Sequence, residues 1–172
     1  MTVREVAPEI ILTHGPYDYM EDHVNAGRLA VSAAFCRGMT NFKCDQRVAP
    51  TLQDVAVYHS MPHSLTDGLR RPVIPGMFVD ISTTIPTKKA MLSCHKSQKD
   101  WLDISQGTDA YLDELDMRGR HYGKLSEIFE YAEGWIRHNN AGFCPPDFNP
   151  LLAKLGRGVK VNAEFEAALE WR

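Results

Sequence analysis

Two hydrophobic rhythms alternate along this chain. Glu9-Ile10-Ile11-Leu12-Thr13-His14 holds a continuous apolar run, which predicts a buried strand, parallel and covered on both faces. Gly15-Pro16 closes it as a turn. From Asp22 to Arg37 the period becomes helical: Val24, Arg28, Val31 and Phe35 share a face that Leu29, Ala30, Ala33 and Ala34 widen. Asp22 reads as the N-cap and Gly38 as the C-cap. Thr40 to Pro50 is polar and irregular. Val55 to Tyr58 and Met77 to Ile81 predict two more strands. The loop between them, His59 to Pro75, is rich in Pro, Gly, Ser and His and too long for a plain connector. Thr83 or Thr84 caps a helix with Pro86 in its first turn, continuing through Gln98. A further helix covers Thr108 to Tyr122, with Tyr111, Leu112, Leu115 and Met117 as core candidates. Ile128 to Ile136 favours a strand by its β-branched and aromatic content. Leu151 to Leu155 reads as one short helix. No repeat or linker divides the chain, so the expectation is a single α/β domain over residues 1–172, with function at the C-terminal ends of its strands.

Composition adds exclusions. With 172 residues, 44% hydrophobic and 24% charged, the chain can bury a core and is neither disordered nor fibrous. A net charge of -3 gives no general pull toward phosphate backbones, so no nucleic-acid partner is expected. No apolar run approaches the ~20 residues of a membrane span, and Met1 to Glu9 lacks a signal core. Cysteines 36, 44, 94 and 144 form no CxxC pair, which disfavours a thiolate zinc site. Well-spread thiols suit a reducing, cytoplasmic setting.

Chemistry concentrates in Thr13 to His23, where two histidines, three acids and two tyrosines follow the first strand. Histidine is the commonest zinc ligand, and a carboxylate can orient its ring. A catalytic zinc needs three protein ligands and an open position; this segment supplies one or two. The plainer reading is that Asp22 caps the helix and His23 faces solvent. A second cluster aligns Lys88, Met91, His95 and Gln98 on one helix side, facing either a site or water. Cys94 and His95 are adjacent on a helix and diverge, so they make no nucleophile pair. His59 and His63 flank Met61-Pro62 as a weak metal pair or as loop residues; His121 and His138 read as exposed. Arg70-Arg71 reads as a solvated pair or an anion contact. No Walker, GxGxxG or GxSxG motif is present.

Pro8-Glu9-Ile10-Ile11-Leu12-Thr13-His14 followed by Asp18-Tyr19-Met20-Glu21-Asp22-His23 resembles the second metal-site motif of the LmbE-like (PIG-L) N-deacetylases. Phe78 to Ser82, Lys88-Lys89, Cys94-His95-Lys96-Ser97-Gln98 and Tyr131-Ala132-Glu133-Gly134-Trp135 resemble further family motifs in the same order, so the likeness spans about Pro8 to Gly156. It implies a Rossmann-like sheet with flanking helices, and a zinc hydrolase removing the acetyl group from an N-acetylglucosamine-type conjugate. By position His23 is implied as the zinc ligand, Asp22 beside it to orient ring or water, and His14 at the strand end near the substrate. His95 and Gln98 would lie behind these at most.

Two departures accompany the likeness. The family's His-Pro-Asp-Asp, which gives two zinc ligands and the general base, occurs nowhere in the sequence. Met20 stands where members often carry a histidine, and a thioether donates no proton; His14 or Tyr19 would take that part. The expectation is therefore an N-terminally truncated fold, an incomplete zinc site and an isolated chain without deacetylase activity. The alternative is a non-catalytic interaction module or half of a split enzyme. Missing strands would leave an exposed sheet edge for a second copy or for a chain bearing the other half.

Overall fold

The computed structural model describes residues 2–43, 48–97 and 110–169, with the side chains of Ala110 and Tyr111 outside that description. Its order is α1 (Thr2–Val6), β1 (Ile10–His14), α2 (Glu21–Phe35), β2 (Ala56–Ser60), β3 (Met77–Asp80), α3 (Ile85–Ser93), α4 (Ala110–Ser126), β4 (Ala132–Arg137), α5 (Pro150–Leu155), β5 (Val159–Val161) and α6 (Ala163–Leu169). The five strands form one mixed sheet in the order β1-β2-β4-β3-β5. β1 and β2 are parallel, with His14 opposite Ser60. β4 runs antiparallel to both β2 and β3, and β5 antiparallel to β3. β1, β2 and β3 therefore end at one crest, where β4 begins.

The α/β class holds, but burial is shared out differently from the expectation. β2 is the strand covered on both faces: Ala56 and Tyr58 enter one cluster with Met77, Leu151 and Val159, while Val55 and Val57 enter another with Ala34 and Phe143. Burying a side chain the size of Val57 or Met77 contributes about 1.5–3 kcal/mol. β1 lies at the sheet edge. Ile10 and Ile11 each pack on one of those clusters, yet Leu12 is 53% exposed. A continuous apolar run does not distinguish an edge from a centre.

In α2 the buried stripe passes through Gly27 and Ala34, leaving Leu29 and Phe35 exposed. Small residues let the helix sit on β1; a Cβ at Gly27 would stand 2.6 Å from the carbonyl oxygen of His14. The helix starts one residue earlier than expected. Met20 is its N-cap, and Asp22 lies in the first turn. It ends at Phe35, ahead of a short 3-10 turn over Cys36–Gly38. Arg37, buried without a carboxylate partner among the described residues, donates instead to four carbonyls: Gln53 at 2.7 Å, Ala34 at 2.9 Å, Gly142 at 3.2 Å and Phe143 at 2.6 Å. It ties the end of α2 to the segments flanking β2 and β4.

The helix expected through Gln98 stops at Ser93, and Gln98 lies outside the described residues, as does the expected helix start at Thr108. The Thr84 hydroxyl makes no cap; it donates to the Ile81 carbonyl at 3.1 Å. α4 outruns its expected end by one turn. Leu115 packs with Ile81, Ile85 and Tyr131, whereas Met117 is exposed. β5 and α6 have no counterpart in the expectation. Among the described residues no helix is long and apolar enough to cross a membrane.

Candidate metal and substrate site

At the crest, the turn after β1 brings three side chains together. Gly15 accepts from the Asp18 amide at 3.4 Å, folding the chain back. Asp18 Oδ1 accepts from the Met20 amide at 2.9 Å, an Asx turn that leads into α2 and places a negative charge at its N-terminus. Asp18 Oδ2 lies 2.9 Å from His23 Nδ1. Since a carboxylate only accepts, His23 donates from Nδ1 there. The His14 ring stacks on His23 with centroids 4.1 Å apart and planes at 11°. The Asp18 side chain is 2% exposed and that of His23 30%.

Ligand atoms of His14, Asp18 and His23 all lie within 4.8 Å of one another. A tetrahedral zinc with bonds near 2.1 Å spaces its ligand atoms about 3.4 Å apart. Two imidazoles with one carboxylate are an accepted zinc set. These three residues could hold a metal ion.

The trio opens into a cavity of about 390 Å³. Its apolar floor includes Met61, Leu92, Leu115 and Trp135. Polar groups come in pairs. Lys88 Nζ meets Glu133 Oε1 at 2.6 Å, and Arg118 meets Glu114 at 2.7 Å. Tyr122 also lines the wall; its hydroxyl is buried with no hydrogen-bond partner among the described residues, and burial pushes its pKa up to about 12.

His14 and His23, singled out from sequence, are brought together. Asp22 is not with them: it is exposed in the first turn of α2 and lines no cavity described here. The carboxylate at His23 is Asp18, because neighbours on a helix diverge by about 100° while a preceding turn can reach back. Tyr19 is exposed, and so is His95, beyond the end of α3. Lys88 does face the cavity, and Met91 beside it is exposed. Arg70 and Arg71 are exposed, the solvated alternative.

His59 and His63 are not a metal pair. His59 is buried, its Nδ1 2.8 Å from the His14 carbonyl and its Nε2 2.9 Å from His138 Nδ1. Burial lowers the pKa of both His59 and His138. His138, expected exposed, is thus half-buried behind the crest. His63 turns the other way, into the cavity. Sequence reasoning passed over Asp18, Arg118 and Tyr122. Only Asp18 carried a signal, as an acid three residues beyond a strand-ending glycine.

No protein-family model matches the chain. A curated relative, diacetylchitobiose deacetylase of Thermococcus kodakarensis, is 30% identical over 139 residues, which is 77% of this chain and 46% of the relative. N,N'-diacetylchitobiose deacetylase from Pyrococcus horikoshii, solved with an inhibitor, superposes with a TM-score of 0.62 at 20% identity, covering 87% of this chain and 53% of that one. GalB, the 4-carboxy-2-hydroxymuconate hydratase of Pseudomonas putida KT2440, does so with a TM-score of 0.56 at 23% identity, covering 80% and 55%. The chain spans about half the length of these relatives. A hydratase among them means that the fold alone does not name the reaction.

Proposed function

We propose, for a chain that its relation to diacetylchitobiose deacetylase places in the LmbE-like (PIG-L) N-deacetylase family, that the crest cavity takes an N-acetylated amino sugar and that His14, Asp18 and His23 hold zinc. The observation that carries this reading is the convergence of those three donors at the mouth of the cavity. Bound zinc supplies a water of pKa near 7 and polarises an acyl oxygen. The chain's own residues do the rest. Asp18, which accepts from His23 Nδ1 at 2.9 Å, would turn from that contact to join the ion. Lys88–Glu133 and Arg118–Glu114 keep the walls polar but charge-compensated, which suits a neutral polyhydroxyl ligand over an ionic one. Trp135 offers an apolar face to a sugar ring.

In this reading the chain supplies one wall of an active site, and turnover by the chain alone is slow or absent. The edge of β1, unpaired among the described residues and with Leu12 exposed, is where a second copy or a chain bearing further ligands would dock. Cys36, Cys94 and Cys144 are unpaired, in keeping with a cytoplasmic setting. The test combines metal content with amine release from N-acetylglucosamine or diacetylchitobiose. The expected result is zinc binding that His23→Ala abolishes, with amine release far below that of a full-length relative. A chain that takes up no zinc and binds neither sugar refutes the proposal.

A further inference from the structure

Tyr122 carries a polar group that the fold leaves unused. The residue is 6% exposed, and its hydroxyl has no hydrogen-bond partner among the described residues. Buried polar groups are nearly always paired, so an open one is either a defect or a contact held for a ligand. The ring is not free to turn away and find a partner. It packs against Phe78, Ala132 and Phe129, and α4 is pressed onto its neighbours on either side of it. A Cβ at Gly119 would stand 2.9 Å from the Tyr131 ring, and one at Gly123 would run into the Glu130 carbonyl. Glycine at both places lets the helix come this close.

The surroundings of the hydroxyl favour a ligand. Tyr122 lines the crest cavity with Arg118, one turn earlier on α4, and with Met61 from the loop after β2. The hydroxyl senses the Arg118 charge, which sets its oxygen toward that wall rather than toward Phe78 in the sheet. Burial outweighs that charge and pushes the pKa up to about 12, so near neutral pH the group is a donor. Met61 packs on the same cluster and is unbranched, so it is the side chain that yields when a ligand settles there. Lys88 and Arg118, also on the walls, are each already spent on a glutamate.

We propose that Tyr122 is a specificity-determining residue whose hydroxyl donates a hydrogen bond to a ring hydroxyl of the amino sugar held in the crest cavity. This rests on the deacetylase reading. A site built around a buried donor rejects a ligand that lacks the matching oxygen, because the donor is then left unpaired beneath it. The empty protein bears the same unpaired donor, so the group weakens the fold while it strengthens the complex.

Tyr122→Phe, which removes one oxygen and keeps the ring, tests this on the whole chain through two readouts. Urea unfolding without ligand is expected to give a midpoint equal to or above wild type, since an unpaired buried group is lost. Calorimetry with zinc present is expected to show N-acetylglucosamine bound about fivefold to tenfold more weakly, the size of one hydrogen bond. An unchanged affinity overturns the proposal whatever the midpoint. A lowered midpoint, or a variant that does not fold, overturns it as well, because the hydroxyl then had a partner within the fold. Analogues of N-acetylglucosamine that each lack one ring hydroxyl identify the acceptor. One of them is expected to bind wild type about fivefold to tenfold more weakly and the Phe variant within about twofold of its parent sugar. If every analogue loses as much on substitution as the parent does, the ring-hydroxyl contact is refuted while the sugar site stands. A wild-type chain that binds neither N-acetylglucosamine nor diacetylchitobiose overturns the deacetylase reading itself, and this assignment falls with it.

Discussion

Two pairs of imidazoles flank the ends of β1 and β2, and their environments differ. His14 and His23 stack face to face at 4.1 Å, with Asp18 against His23 and the cavity before them. His59 and His138 meet edge-on at 5.0 Å and 66°, His59 deep in the sheet, bonded to a carbonyl and to its partner. The first pair has a carboxylate and a free ring nitrogen, so it is available to a cation. In the second pair both His59 nitrogens are already used. Histidine count and spacing do not separate the pairs; the neighbour of each ring does. The His59–His14 contact also links them, since the buried pair holds the carbonyl of a residue in the open one.

Substitutions can break this contrast. His59→Phe leaves the His14 carbonyl and His138 Nδ1 without their partner, and it is expected to destabilise the fold by about 2–4 kcal/mol. Urea unfolding measures this, and a loss below about 1 kcal/mol would deny the pair its structural role. His23→Ala, in the open pair, is expected to cost little stability but at least about 100-fold in zinc affinity. Titration calorimetry reads that loss, and an unchanged affinity would remove His23 from the metal set.

Gly27→Ala sharpens the contrast without touching a ring. Its new methyl group would press on the His14 carbonyl at 2.6 Å, a backbone atom that cannot swing aside. The expected cost is about 1–3 kcal/mol, with weakened zinc binding as α2 moves off β1. Unfolding and calorimetry on the same sample check both, and a stabilised variant would show that the helix yields freely. The smallest effect is a pH dependence. Burial, and then the His59 ring, hold His138 below its ordinary 6.5. The unfolded chain therefore takes up protons before the folded one, so stability is intact above pH 6.5 and falls as pH drops below it. His138→Phe should flatten that slope in unfolding midpoints compared across the range, and an unaltered slope would place its source elsewhere.

The element pattern was readable where local chemistry is strong. Ile10 to His14, Ala56 to Ser60 and Met77 to Asp80 are strands because β-branched and aromatic runs fit a pleated surface. Ile128 to Ile136 was readable only in part: Ser126 takes up the amides of Ile128 and Phe129 in a turn, and the strand waits until Ala132. β5 escaped notice because three residues, one of them Lys160, show no usable period. Its pairing with β3 is a long-range contact.

The order of residues alone determined the α/β class and the placing of His14 at the end of β1 and His23 in the first turn of α2. Each depends on side chains near one another in sequence, where propensity and turn geometry act directly. Which carboxylate meets His23, which histidines are used up, and which residues line the cavity with them were decided by tertiary structure. Asp18, His138, His63 and Arg118 acquire their roles from partners five to seventy-nine residues away. Electrostatics and hydrogen bonding depend on distance through space, which a linear chain does not specify until it has folded.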